Sequence, residues 1–339
     1  MIRVVLEEPK KVSVQEVPIP SPGPSEVLIH VKACGICGSD VSAYLGKHPF
    51  VKYPVVQGHE FSGEIVEFGD LVKNVKKGEK VVVEPSLTCG SCYHCKAGRY
   101  NICNELAVIG FQADGAMAEY FVANWAKTYR IPPEMSFEDA ALIEPAAVAL
   151  HAVRRSSLRV GDNALILGAG PIGLMLLQCC KAAGASSTII TDLVDLRLEV
   201  ARMLGADYTF NAKDRDISTA IRSEFGRDWV DVVFEATGSM SGTNEAIEAV
   251  RKGSEIIVVG IPPKEVSTKI ALIQDRELLV KGSLMYSCRD YSRVIEMMTK
   301  KIIGTSGMIT HRFALRDLSQ AYRTIVEQPD KVLKVMLEI

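Results

Sequence analysis

No stretch of the chain approaches the ~20 consecutive apolar residues of a membrane-spanning helix. The start, MIRVVLEEPKKVSVQEVPIPSPGPSEV, lacks an apolar signal core and reads as strands followed by a proline-rich loop. A cytoplasmic location is the expectation. An excess of charge is also missing: the net charge of −2 gives no electrostatic reason to expect nucleic acid or an anionic membrane as partner. There is no internal repeat and no low-complexity tract, which sets aside solenoids and disordered tails. The lysine run KNVKKGEK, residues 73–80, reads as a solvated turn. What is present is ordinary: 47% hydrophobic and 24% charged residues describe a soluble globular chain. At 339 residues it exceeds the usual size of one core, so two domains are expected.

The texture of the chain changes near residue 140. Residues 1–130 are strand-rich, with VLIHVKACGIC, FSGEIVEFG and KVVVEPS separated by glycine and proline turns. Further on, the strand NALILGAG is followed by the helix PIGLMLLQCCKAAGA, the strand STIITD by the helix LRLEVARMLGAD, and the alternation continues through VDVVFEATG, NEAIEAVRKG and SEIIVVG. Alternation of this kind predicts an α/β architecture, a Rossmann-type doubly wound parallel sheet with helices on both faces. The chain closes with a helix at DYSRVIEMMTKKI, the segment MITHRFAL, a helix at DLSQAYRTIVEQ and a last strand KVLKVMLEI.

Within LGAGPIGL, residues 167–174, Gly168, Gly170 and Gly173 form G-x-G-x-x-G around Pro171 and Ile172. The pattern follows a predicted strand, opens a predicted helix and is followed 19 positions after Gly173 by an acid at a strand end, Asp192. Gly168 allows the tight turn, Gly170 lets the backbone approach a pyrophosphate, and Gly173 lets helix and strand pack closely. The helix start offers unpaired N–H groups to phosphate. Asp192 can accept hydrogen bonds from both adenosine ribose hydroxyls and repels a 2′-phosphate, so the expected cofactor is NAD rather than NADP. Arg197 lies close enough in sequence to screen a phosphate in part, but leaves the carboxylate in place.

Four of the nine cysteines, Cys89, Cys92, Cys95 and Cys103, are spaced C-x2-C-x2-C-x7-C. In a reducing compartment such clustering points to metal or catalysis more than to disulfides. Short loops of this kind bring four thiolates to a tetrahedral zinc ion and leave no place for water, which makes the metal structural. An iron–sulfur cluster uses other spacings. His94, inside this lobe of residues 86–105, is then a surface residue. A second constellation is Cys37, His59, Glu60 and Glu144. A thiolate, an imidazole and a carboxylate suit a zinc site with one open position, although spacing alone does not join residues so far apart.

CGICGSD, GHEFSGEIVEFG, the cysteine lobe, IEPAAVALHAVRR, LGAGPIGL and ITHRF stand in an order that resembles the zinc-containing medium-chain alcohol dehydrogenases, in particular their sorbitol (polyol) and threonine dehydrogenase branch. The resemblance covers nearly the whole chain. It implies a β-rich, GroES-like catalytic domain, residues 1–140 with a return at 290–339, around an NAD-binding domain, residues 141–289. It implies Cys37, His59 and Glu60 as ligands of a catalytic zinc, with Glu144 nearby or exchanging, two zinc ions per chain in all, and a homo-oligomer, dimer or tetramer. Against these uses, Cys34 with Cys37 is a poor redox motif, since no thioredoxin-like pattern surrounds it. Cys179 and Cys180 read as packing residues. His30, His151 and His311 read as structural, and Cys288 receives no role.

The expected reaction is oxidation of a secondary alcohol, with hydride passing to the nicotinamide and Ser39 taking the hydroxyl proton. Where the family often has a histidine, three positions beyond that serine, this chain has Ser42. Two polar groups of sorbitol-type enzymes are replaced by Ala43 and by Met285, before Tyr286. A site short of donors discriminates poorly for a hexitol. The expected substrate is therefore another polar secondary alcohol: a polyol, a sugar acid or a cyclitol. The stretch AVIGFQADGAMAEY is similar to members acting on sugar acids. Threonine or 2,3-butanediol is the alternative substrate, and a non-catalytic nucleotide sensor or scaffold is the alternative from another class.

Overall fold

The strand Glu26–Ile36 (EVLIHVKACGI) is the spine of the first structural unit. Its valines and isoleucines suit a pleated, half-buried surface. It pairs antiparallel with Glu60–Phe68, Tyr120–Asn124 and Lys334–Glu338. The computed structural model describes residues 1–262 and 265–339. In it the chain forms two units: Met1–Glu144 with Ser287–Thr299 and Ile309–Ile339, and Pro145–Tyr286 with Lys300–Met308.

In the first unit a seven-stranded sheet runs Thr128–Arg130, Lys80–Val83, Glu60–Phe68, Glu26–Ile36, Lys334–Glu338, Ile309–Ala314, with Tyr120–Asn124 beside Glu26–Ile36. A three-stranded sheet of Lys11–Glu16, Ile2–Glu8 and Val55–Val56 adds to it. Val27, Ile29, Val31, Phe61, Ile65 and Leu337 are almost fully buried in one apolar core. Each such side chain withdrawn from water contributes on the order of 1.5–3 kcal/mol. The lysine run 73–80 is exposed for most of its length, but its last residue is fastened: Lys80 Nζ donates to the carbonyls of Pro133 and Met135 at 2.6 and 3.0 Å.

The second unit holds six parallel strands in the order Tyr208–Asn211, Ser187–Asp192, Asn163–Leu167, Val232–Glu235, Glu255–Val258, Leu279–Gly282. A sheet covered on both faces needs continuous apolar runs rather than alternation. Leu165, Ile166, Ile189, Ile190, Val233 and Phe234 are accordingly buried without a break. Chain order reverses between Asn163–Leu167 and Val232–Glu235, and the crevice at the carboxyl ends of that pair is where open α/β sheets bind ligands. This is the doubly wound architecture expected from the sequence.

The first unit runs to Glu144 rather than residue 140 and resumes at Ser287 rather than residue 290, and the return is not the uninterrupted one expected at 290–339. Lys300–Met308 packs with the second unit. One fastening is Gln178 in the helix Pro171–Ala183, whose amide donates to the Gly304 carbonyl at 3.0 Å and accepts from the Gly304 N–H at 2.7 Å.

Candidate active site and nucleotide-binding loop

Three neighbouring strands of the first unit deliver the candidate metal ligands to one end of the sheet. Gly35 stands directly opposite Glu60 in the antiparallel ladder, and Ile36 opposite Val335. Cys37 follows the first of these strands and His59 precedes the second. One ligand atom each from Cys37, His59 and Glu60 lies within 4.8 Å of the others. The approach is close enough that a Cβ on Gly35 would stand 2.4 Å from Glu60 Oε2 and push that carboxylate aside. Glu144 is 7% exposed, in the first turn of the helix Ile143–Arg155. Its charge acts on His59 and Lys334, yet it stands outside the set that closes to 4.8 Å.

Four further residues complete the arrangement, Asp40, Gln57, Tyr322 and Lys334, and nothing in the sequence pattern singled them out. Asp40, fully buried, sits in the first turn of the helix Gly38–Tyr44 and accepts the Cys37 N–H at 2.9 Å. Its Oδ1 lies 3.7 Å from His59 Nδ1, and Gln57 donates to it at 3.3 Å. Tyr322, from the far end of the chain, donates to Gln57 Oε1 at 2.7 Å. Lys334, 2% exposed, places Nζ 2.5 Å from Glu60 Oε2 and donates to the Ile36 carbonyl at 3.2 Å. Glu60 Oε2 is therefore engaged by the Lys334 ammonium.

The electrostatics match a cation site. Burial alone lowers an imidazolium's pKa, but Asp40, Cys37 and Glu144 together hold His59 well above the usual range. For Asp40, burial pushes the carboxyl up, and His59 and the Cys37 N–H pull it back in part. His59 Nδ1 is buried and has no hydrogen-bond partner among the described residues. A sulfur, a ring nitrogen and a carboxylate oxygen, converging in a buried place, are a donor set for zinc. A carboxylate beside the imidazole is the usual outer partner in such sites, and Asp40 stands 3.7 Å from His59 Nδ1, near it without a hydrogen bond. Ser39 is half-buried in the same first turn as Asp40. Cys34, by contrast, is fully buried and free, and its thiol is pushed up by burial.

The second thiol cluster also closes to within 4.8 Å. The Cys89 sulfur lies 3.4 Å from that of Cys103 and 4.0 Å from that of Cys95, and the Cys92 and Cys103 sulfurs are 3.9 Å apart. These distances are far too long for disulfides and bracket the edge of about 3.8 Å that four Zn–S bonds of ~2.3 Å would produce. Backbone N–H groups of Cys92 and Ser91 pull the Cys89 thiol down to about 6, while burial and the neighbouring sulfurs push Cys95 up. A divalent ion held by the four sulfurs would relieve that conflict. His94, expected at the surface, is half-buried, with Nδ1 enclosed and unpartnered among the described residues. Tyr100 fastens the lobe by donating to the buried Glu84 at 3.0 Å. Lys127, Ser86 and Tyr129 also bond Glu84. The Cys288 N–H donates to the Tyr100 hydroxyl oxygen, which gives that segment a structural place.

In the second unit, Gly168 ends its strand with φ at +97°, and Gly170 caps the helix Pro171–Ala183 with Pro171 in its first turn. A Cβ on Gly173 would lie 1.8 Å from the Gly168 carbonyl oxygen, which enforces the close packing. A Cβ on Gly170 would meet nothing within 4 Å, so open space lies over the helix start, whose N–H groups suit an anion. Asp192 Oδ2 accepts the Ala169 N–H at 2.8 Å, and Oδ1 accepts Leu193 and Val194 N–H at 2.8 and 3.0 Å. Arg197 Nη1 is 3.6 Å from Oδ1. The acid thus anchors the glycine-rich loop, and with Oδ1 taken by two N–H groups it is Oδ2, holding one, that retains accepting capacity. Cys179 and Cys180 are buried packing residues. His30 stacks on Tyr120 at 4.8 Å and His311 stacks on Phe313, both within the first unit.

Comparison with known proteins gives the same picture. Residues 23–133 match the alcohol dehydrogenase GroES-like domain and residues 171–300 the zinc-binding dehydrogenase domain. The chain is 35% identical to sorbitol dehydrogenase of Bacillus subtilis over 343 residues, 99% of this chain and 97% of that one. An alcohol dehydrogenase of Escherichia coli CFT073, solved with NADH, superposes with a TM-score of 0.93 at 32% identity, covering 100% of this chain and 99% of that one. A zinc-binding dehydrogenase of Sinorhizobium meliloti 1021 bound to NADP superposes at 0.92 and 32%, with the same coverage. Two family domains in the expected order, a buried thiolate–imidazole–carboxylate set and a glycine-rich nucleotide loop leave one conclusion: the chain belongs to the zinc-binding, GroES-like alcohol dehydrogenase family.

Proposed function

We propose that the protein transfers a hydride between a polar secondary alcohol and NAD, with a polyol, a sugar acid or a cyclitol as substrate. The observation that supports this most is the buried convergence of Cys37, His59 and Glu60 within 4.8 Å. Those three residues would hold the catalytic zinc, and Cys89, Cys92, Cys95 and Cys103 a structural one. When bound at the first site, zinc supplies Lewis acidity that brings the pKa of a hydroxyl toward neutrality. Asp40 orients the His59 ring, and Lys334 balances the charge of Glu60. Ser39 accepts the proton released by the substrate hydroxyl and passes it outward. Glu144 adds negative charge beside the ligands and favours a cation there. Gly168, Gly170, Pro171, Ile172 and Gly173 receive the pyrophosphate. Asp192 binds the ribose hydroxyls and repels a 2′-phosphate, the ground for preferring NAD; Arg197, held by Asp192, is engaged in that pair.

Nine free thiols suit the reducing cytoplasm. A homo-oligomer is supported by the outermost strand Leu279–Gly282, where Leu279 and Val280 are 56% and 47% exposed on an open sheet edge. The test of function is NADH formation over sugar alcohols, aldonic acids, cyclitols, diols and threonine, combined with metal analysis. Turnover of a polar secondary alcohol with about two zinc ions per chain is expected. Threonine or 2,3-butanediol as the best substrate would move the assignment within the family. NADH binding without turnover of any alcohol would overturn it in favour of a sensor.

A further inference from the structure

His48 lies between the helix Gly38–Tyr44 and the strand Val55–Val56, half-buried. Its ring rests flat on Phe111, with centroids 4.6 Å apart and planes 2° from parallel. Phe111 is also the neighbour of His59, at 5.1 Å and 43°. One buried phenyl ring thus separates a candidate zinc-binding imidazole from a second imidazole. The segment is fastened in place: Gln112 Nε2 donates to the Phe50 carbonyl at 2.9 Å, and the Lys52 N–H donates to the Phe111 carbonyl at 3.4 Å.

The protonation of this second ring follows from its contacts. The Phe50 N–H donates to His48 Nδ1 at 3.3 Å. Nδ1 is then the acceptor, so in the neutral ring the proton sits on Nε2, which becomes a donor. Burial, and after it the charge of His59, hold the His48 imidazolium below its usual range. The ring therefore offers an uncharged N–H at neutral pH. Neutral donors suit hydroxyl oxygens, whereas carboxylate recognition gains most from a cation.

We infer that His48 determines specificity in the proposed dehydrogenase, donating from Nε2 to a substrate hydroxyl other than the one oxidised, and thereby favouring neutral polyols over sugar acids. This rests on the assignment of Cys37, His59 and Glu60 as the catalytic site. A site built to bond a substrate hydroxyl rejects the analogue that lacks it, so the residue reveals itself in a comparison of two alcohols.

The experiment measures kcat/KM on the zinc-loaded protein for 2,3-butanediol against 2-butanol and for xylitol against 2-pentanol, in the wild type, His48→Phe and His48→Gln. Phenylalanine preserves a ring on Phe111 without the donor; glutamine restores an amide N–H near the Nε2 position without the ring. For His48→Phe, activity on the polyhydroxy partner should fall at least about tenfold further than on the simple alcohol. His48→Gln should recover most of that lost preference. Equal losses on both alcohols in His48→Phe, or equal loss of preference in both variants, would overturn the inference, since packing of the segment would then explain the effect. A wild type that oxidises aldonic acids and none of the four alcohols would overturn the inference and leave the site assignment standing, whereas one that binds NADH and oxidises neither class would refute the site assignment itself.

Discussion

Lys334 shows how much a single buried charge can decide. Its ammonium is the cation paired with Glu60 at 2.5 Å, and both side chains are 2% exposed. Replacing it with methionine leaves a buried carboxylate without compensation, a situation that costs about 3–5 kcal/mol. Urea unfolding of zinc-free Lys334→Met should show a loss of that size. Zinc should restore much of it by taking over the charge of Glu60, and unfolding that ignores zinc would show that Glu60 is no ligand. His59 yields a pH prediction. In the zinc-free protein its pKa stands well above the usual imidazole range despite burial, because Asp40, Cys37 and Glu144 favour the charged ring. Proton and metal compete for the same ring, so zinc affinity must weaken as pH falls through the neutral range and His59 keeps its proton. Chelator competition measured across that range should show the decline, and Asp40→Asn should make it shallower while lowering affinity about 10–100-fold.

At the scale of elements, the glycine-rich turn and the cysteine lobe are each held by a buried or half-buried carboxylate. Asp192 ties the strand Ser187–Asp192 to the loop through the Ala169 N–H. Asp192→Ala should therefore weaken NADH binding by more than the lost ribose contacts alone, and it should narrow the gap between NAD and NADP. Fluorescence titration with both reduced cofactors checks this; an unchanged ratio would mean that another group reads the ribose. In the lobe, Glu84 accepts from Tyr100, Tyr129, Lys127 and Ser86. Tyr100→Phe removes one donor from a buried carboxylate and should cost about 1–3 kcal/mol. Cys95→Ser should lower zinc content by about one ion per chain. Loss of both ions in metal analysis would argue that the two sites are not independent.

At the scale of the whole molecule, the exposed edge Leu279–Gly282 sets the expectation for assembly. Unpaired strand edges invite a partner, and lysines on an edge prevent it. Leu279→Lys combined with Val280→Lys should reduce the mass measured by light scattering to that of one chain. A wild type that is already monomeric would remove the proposal. The change from strand-rich sequence to alternating strands and helices marks the two units, while the return of the last residues to the first unit was implied by the family resemblance. The exception is Lys300–Met308, which Gln178 holds to the second unit. A polar contact between residues 126 positions apart leaves no trace in local periodicity.

What the sequence determined by itself was everything encoded locally. The doubly wound sheet follows from apolar runs and their period. The nucleotide loop follows from glycines at fixed offsets, and the thiol lobe from four cysteines whose short spacing leaves their sulfurs little choice. Cys37, His59 and Glu60 were legible through the resemblance to the zinc-containing alcohol dehydrogenases, since their spacing alone does not join them. Only the tertiary structure decided which of them meet, because Cys37 and Glu60 become neighbours through the register of two strands and Lys334 joins them from 274 positions beyond Glu60. Asp40 as the partner of His59, Glu144 outside the closing set and His48 behind Phe111 belong to the same class. Distance in space between residues remote along a chain is fixed by packing, and packing is a property of the folded whole.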